Sequence, residues 1–208
     1  MTKEFRGQPI KDLRGFMSAD QVRDLINSAR TFRDKVFLRL LWVTGARVSE
    51  IVGDKSWYKK RVYEPVKVED IDFKEGVIIL NLLKRKQYPP PKHRVPLDKR
   101  TLQNLEAYIL QEKLQPNNAL FPFTRQRAFQ IIREAAKDAK IIKVGNKKPH
   151  PHHMRHSHCV AFIRKNNTLE GLRKLQKRIG HASISTTAEY LQFGPEQQKE
   201  TEDVFGEW

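Results

Sequence analysis

Val77-Ile78-Ile79-Leu80-Asn81-Leu82 is a run of β-branched and aliphatic residues, and its reading decides the fold class. In front of it, Asp72-Phe73-Lys74-Glu75-Gly76 reads as a turn. Behind it, Pro89-Pro90-Pro91 forbids regular structure and marks an exposed hairpin tip. His93-Arg94-Val95-Pro96-Leu97 then returns as a short edge strand. Everything further out reads as helix. Ser18-Ala19-Asp20-Gln21 is a capping-box pattern followed by Val22, Leu25 and Ile26 at helical spacing. Thr31-Phe32-Arg33-Asp34 repeats the signal and opens an apolar helix through Trp42, stopped near Gly45. A further helical stretch from Arg47 to Val52 ends at Gly53, and residues 54–70 lack a clear period and read as loop. Asp98 caps a helix through about Gln111, and Thr124 caps one from Arg125 to about Ala139. Three more helices are expected at about 153–166, 168–178 and 185–192. The expected class is mainly α with a small antiparallel β-sheet, an α+β domain.

The chain has 208 residues, enough for one domain with at most a short appendage. Hydrophobic residues make up 38%, with 11 Phe, 5 Tyr and 3 Trp, which sustains a core and argues against wholesale disorder. No apolar run approaches the roughly 18–20 residues of a membrane span, and Met1-Thr2-Lys3-Glu4-Phe5-Arg6 lacks the apolar centre of a secretory signal. A single cysteine, Cys159, excludes an internal disulfide framework and a cysteine-based zinc finger. The expected locale is cytoplasmic, nucleoid-associated in a prokaryote. Lys and Arg number 40 against 24 Asp and Glu, a net charge of +16, and the polyanion that suits such a domain is nucleic acid. The charge is clustered. Eleven Lys and Arg face one acid, Glu170, between Lys140 and His181, and seven more lie between Lys84 and Arg100. The segment from Gln192 to Trp208 reverses sign, with five acids against Lys199.

Four short pieces carry chemistry. In Thr44-Gly45-Ala46-Arg47-Val48-Ser49-Glu50 a glycine ends one helix, and Arg47 starts the next with Glu50 on its face three residues on. That arginine offers a planar fork to a phosphate, held by a supporting carboxylate; the plain alternative is a surface ion pair. In Pro149-His150-Pro151-His152-His153-Met154-Arg155-His156-Ser157-His158, His152 and Arg155 lie one turn apart at a helix N-terminus, which itself attracts anions. Five of the seven histidines fall here, and His152 and His156 have the spacing of zinc ligands on a helix. No Asp or Glu lies within ten residues of the segment and its cationic surroundings repel a divalent ion, so a metal site is not expected. The third piece, Ile179-Gly180-His181-Ala182-Ser183, carries a helix C-cap glycine followed by a histidine. The fourth, Ser185-Thr186-Thr187-Ala188-Glu189-Tyr190, is a short capped helix whose tyrosine is either packing or a phenol nucleophile beside cations.

Taken in order, Arg, Lys, His-x-x-Arg, Gly-His and Tyr resemble the catalytic signature of the tyrosine recombinases, the family of lambda-type phage integrases. The resemblance spans roughly residues 15–200, with three boxes in the right order between Thr44 and Tyr190. It implies the tyrosine recombinase catalytic-domain fold and a site-specific DNA recombinase that cleaves and rejoins strands through a 3′-phosphotyrosyl intermediate, with no metal or nucleotide cofactor. Within it, Tyr190 is the nucleophile, and Arg47 and Arg155 hold the non-bridging phosphate oxygens. His152 and His181 position the phosphate and manage the tyrosine proton, and Glu50 supports the arginines. A hairpin lysine protonates the leaving 5′-oxygen. The hairpin departs from the family's Gly-Lys-Gly-x-Lys pattern; counting from Gly76 assigns Lys84, with Lys86 on the same face as the alternative.

Candidate DNA contacts from the basic runs are Arg85, Lys86, Lys147, Lys148, Lys177 and Arg178. Residues 1–14 read as an N-terminal extension or linker remnant; family members usually carry a helical DNA-clamping domain there, so the chain reads either as an excised fragment or as a minimal recombinase. Residues 15–194 read as the catalytic domain and 195–208 as a tail. The resemblance implies double-stranded DNA as partner, self-association into a tetramer on it, and docking of the acidic tail in trans through Phe205 and Trp208. The rival readings are a non-catalytic DNA-binding relative and a metal-dependent nuclease using the 150–158 histidines. The type IB topoisomerases share similar chemistry, but the Gly180-His181 and Tyr190 boxes look integrase-like.

Overall fold

Ser18 opens the first helix, α1 (Ala19–Asn27), by a reciprocal exchange: its Oγ accepts from the Gln21 amide, and Gln21 Oε1 accepts from the Ser18 amide. This is the capping box expected from sequence. The structure is a computed structural model that describes residues 15–54, 62–83, 89–166 and 168–180. Thr31 caps α2 (Phe32–Thr44) through the Asp34 amide at 3.1 Å. Gly45 ends it in the left-handed region at φ 63°. Five-residue α3 (Val48–Val52) follows, then a 3₁₀ turn (Val68–Asp70), then the strands β1 (Ile71–Asp72), β2 (Val77–Asn81) and β3 (Lys92–Pro96). The remaining helices are α4 (Lys99–Gln111), α5 (Arg125–Asp138), α6 (Pro151–Lys165) and α7 (Leu169–Ile179).

The sheet is antiparallel in the order β1-β2-β3, with Leu80 opposite His93 and Val77 opposite Pro96. Proline at the end of β3 is tolerated because that strand lies at the edge. Ile78 and Leu80 of β2 point into the core while their neighbours stay half-covered, the period-two signature of a sheet with one buried face.

Helix α2 is the centre of the core. Val36, Phe37, Leu38, Leu40 and Leu41 are all buried, so the helix is covered on several sides, by α1, α4 and α6 among others. Its Arg39 is not an interruption. Nε donates to Thr101 Oγ1 at 2.9 Å and Nη2 to Asp98 at 2.8 Å, so the residue that caps α4 also ties α4 to α2. Phe37 meets Phe121 and Phe123 edge-on, and Tyr108 stacks on Phe121 and donates its hydroxyl to the Leu120 carbonyl. A second apolar cluster, Cys159, Val160 and Ile163 against Leu172, Leu175 and Ile179, joins α6 to α7.

Three details differ from the sequence expectation. Helix α6 begins at Pro151 rather than near residue 153, because proline fits the first turn, where its missing N–H has no intrahelical partner. The stretch 54–70 contains the 3₁₀ turn and bridges from Asp54 to Tyr63 and from Lys67 to Ala119. Ile71–Asp72 pairs with β2 as a two-residue strand, too short to give any alternation. The helix expected at 185–192 lies outside the described residues. Among those residues no helix is long and apolar enough to cross a membrane.

Candidate active site

The end of α2 and the start of α3 form a tight corner. Thr44 Oγ1 donates to the Leu40 carbonyl at 2.6 Å and accepts from the Ala46 amide at 3.2 Å, which draws the chain back across the helix end. Gly45 is required there twice over. Its φ is left-handed, and a Cβ would meet His158 Cδ2 at 2.5 Å. Arg47 then stands at the N-cap of α3, and Glu50 closes on it from one turn ahead. Glu50 Oε2 accepts from the Arg47 amide at 2.7 Å and Oε1 from its Nη1 at 2.8 Å. The Glu50 side chain is only 1% exposed and that of Arg47 17%. The alternative of a surface ion pair is thereby corrected: the pair lies in the interior wall of a cavity.

Arg155 reaches the same corner from α6. Its Nη1 donates to the Gly45 carbonyl at 2.6 Å and its Nη2 to the Ile179 carbonyl at 2.8 Å, and Nη1 lies 3.9 Å from Glu50 Oε2. Two guanidinium groups thus share one buried carboxylate. One of them joins α2's exit to the last turn of α7. Together with His152, the two arginines line a cavity of about 340 Å³. Leu83, Phe129 and Pro151 supply apolar walls, and Leu83 is the residue immediately before Lys84 in the chain.

Sequence reading missed three residues here: Asp54, Tyr63 and Arg125 also line the cavity. Arg125 Nη1 meets the buried Asp54 carboxylate at 3.1 Å. The two are 71 positions apart, and no local pattern links them.

The five histidines of the 150–158 segment have different fates. His152 is exposed at the cavity. His150 and His153 lie face to face, ring centroids 3.8 Å apart. Burial, then the neighbouring cationic groups of His150 and Lys147, push the His153 imidazole down to about 4. Burial pushes His158 down to about 3, with Arg178 adding to the effect. His158 Nδ1 lies 2.7 Å from the Trp42 carbonyl, to which it donates as a neutral ring. Both histidines are therefore uncharged at neutral pH. Unfolding restores an ordinary value near 6.5, so the unfolded chain binds more protons below that pH. Stability is full above about pH 6.5 and falls toward pH 4, with a slope of about 1.4 kcal/mol per pH unit for each proton taken up. Urea midpoints between pH 7.5 and 4.5 read this directly. His158→Phe should flatten the fall; an unchanged slope in that variant would contradict the assignment.

Lys147, Lys148 and Lys177 are exposed, as candidate phosphate contacts must be. Arg178 is placed otherwise. Its Nη2 donates to the Val43 and Pro96 carbonyls, both at 2.9 Å, so that nitrogen ties α7 to the ends of α2 and β3. Lys84, Arg85, Lys86, His181 and Tyr190 lie outside the described residues. Among the described residues no group of three or more His, Cys, Asp or Glu is placed to hold a metal ion.

The described residues thus form a helical domain with a small antiparallel sheet, in which Arg47, Arg155 and His152 line one cavity. The model of the phage integrase family matches residues 15–196, and the chain belongs to that family. Relatives include the tyrosine recombinase XerC of Staphylococcus aureus, 28% identical over 177 residues, covering 82% of this chain and 52% of the relative. The tyrosine recombinase XerA of Pyrococcus horikoshii is 28% identical over 186 residues, covering 86% and 57%. The chain thus spans about half the length of the curated relatives it matches. Among solved structures, the XerA recombinase superposes with a TM-score of 0.68 at 24% identity, over 92% of this chain and 65% of that one. The XerH site-specific recombinase, in a post-cleavage complex with a palindromic difH substrate, gives 0.71 at 18% identity, over 94% and 54%. These likenesses establish the fold.

Proposed function

We propose that the chain is a DNA strand transferase of the tyrosine recombinase type. The observation that carries this reading is the cavity in which Arg47 and Arg155 share the buried Glu50, with His152 at its mouth. Two guanidinium groups beside one carboxylate, Arg47 bonded to it and Arg155 3.9 Å from it, suit the non-bridging oxygens of a phosphodiester, whose negative charge grows in the pentacovalent transition state. Tyr190 Oη attacks phosphorus and loses its proton, with His152 and His181 managing the transfer. The P–O5′ bond breaks, and the leaving oxygen takes a proton from the hairpin lysine, assigned to Lys84. The DNA 3′ end is then held as a phosphotyrosyl ester, and another strand's 5′-hydroxyl reverses the step.

The carboxylates at the cavity support a reaction run on protein cations. Glu50 is engaged by Arg47 through both oxygens, and Asp54 is paired with Arg125. Residues 15–194 form the catalytic domain in this reading, acting on double-stranded DNA in the cytoplasm. Tetramers assemble on DNA through the 195–208 tail docking on a neighbour. The test is a suicide-substrate assay with nicked duplexes carrying a randomised site. SDS-resistant adducts should form and be unaffected by excess EDTA; strong inhibition by EDTA would revive the nuclease reading.

A further inference from the structure

We propose that His93 and Arg178 form a clasp between the β-hairpin and the end of α7, and act as positioning residues for strand transfer. The inference rests on the strand-transfer reading of the cavity. His93 sits on β3 opposite Leu80. Its Nδ1 lies 3.3 Å from the Leu80 carbonyl and its Nε2 3.2 Å from the Arg178 carbonyl. Both neighbours are acceptors, so the ring donates to one in its neutral form and to both as the imidazolium. One side chain therefore lies between the hairpin's own cross-strand partner and the last turn of α7, within hydrogen-bond distance of each.

Arg178 closes the clasp from the other side. Its Nη2 reaches from α7 both to the Pro96 carbonyl at the end of β3 and to the Val43 carbonyl in the last turn of α2, where the helix leaves carbonyls without intrahelical partners. The Ile179 carbonyl is taken by Arg155. Gly180 follows in the left-handed region, so close to the residue after β2 that a Cβ would overlap Leu82 Cδ2. The last turn of α7 is thus fixed to α2, α6 and β3 at once.

What these elements lead to gives the clasp its role. Beyond Leu82 and Leu83 the chain continues into Lys84, and beyond Gly180 into His181 and then Tyr190. The clasp therefore fixes, relative to each other, the two points, Leu83 and Gly180, from which the chain runs on to the proposed leaving-group acid and nucleophile. Misplacing a reacting group by about 1 Å costs about 10²-fold in rate.

The test pairs two nicked suicide duplexes, one with the ordinary 5′-bridging oxygen and one with sulfur in its place. A thiolate, whose conjugate acid has a pKa of about 8.5, leaves without a proton donor, so the sulfur duplex bypasses the hairpin lysine. His93→Ala should cleave the oxygen duplex about 10- to 100-fold more slowly than the parent chain. On the sulfur duplex it should fall within about threefold of the parent, with unchanged DNA affinity. Equal losses on both duplexes, or no loss on either, would overturn the clasp. Arg178→Met removes the Nη2 that donates to Val43 and Pro96; it carries the same test should His93→Ala fail to show a cooperative melt. A parent chain that forms no adduct on either duplex sinks the strand-transfer reading and the clasp with it. Normal adducts from the parent, with variants that lose both substrates alike, sink the clasp alone.

Discussion

Arg155→Ala should lower the rate of covalent adduct formation by about 10²-fold or more, the scale on which one transition-state donor counts. The same substitution should also lower stability, because Arg155 does two jobs. In the folded chain its fork is donated to the Gly45 and Ile179 carbonyls, and its side chain is buried. Removing it strands two buried acceptors, each costing about 1–3 kcal/mol, and takes one cation away from Glu50. A loss of about 2 kcal/mol or more lowers Tm by about 5 °C or more in a domain of this size. Arg155→Lys separates the two jobs only in part: it restores a charge beside Glu50, but one ammonium does not replace a fork that spans two carbonyls. Its rate should stay about 10²-fold down while Tm recovers part of the loss. Single-turnover cleavage and a thermal melt on the same preparations check both. A variant that melts early but cleaves at the parent rate would remove Arg155 from the phosphate site and leave it a structural tie.

Much of the frame was legible in the sequence because its signals are local. Ser18, Thr31, Asp98, Thr124 and Thr168 each cap the helix that follows, and Gly45 and Gly180 each end one in the left-handed region. These are contacts over three or four residues, which is what a sequence displays. The Arg47–Glu50 pair was visible for the same reason. Its burial was not, because the cover comes from elements far along the chain, among them α6 with Arg155.

Arg178 shows the limit most clearly. In the sequence it is one more cation in a basic run and reads as a DNA contact. In the fold it reaches carbonyls 135 and 82 positions away and becomes internal scaffolding. His93 in the return strand gave no signal at all, since its partners are a cross-strand carbonyl and the end of α7. Asp54 and Arg125 met only because the chain after α3 folds beside the first turn of α5. The hairpin lysine, His181 and Tyr190 rest on the motif order.

Tyr190 is therefore where the account is most exposed, and substitution there should have the largest effect of all. Phenylalanine keeps the ring and removes the one oxygen that attacks phosphorus, so Tyr190→Phe should abolish the covalent complex. DNA binding should persist nearly intact, because it rests on many phosphate contacts spread over the basic surface. The most direct measurement is peptide mapping of the adduct trapped on a nicked suicide duplex, run beside the Phe variant. The expected result is a nucleotide joined through a 3′-phosphotyrosyl bond to the peptide containing Tyr190, and no adduct from Tyr190→Phe. A nucleotide linked to any other residue, or an SDS-resistant adduct that survives in the Phe variant, would contradict it.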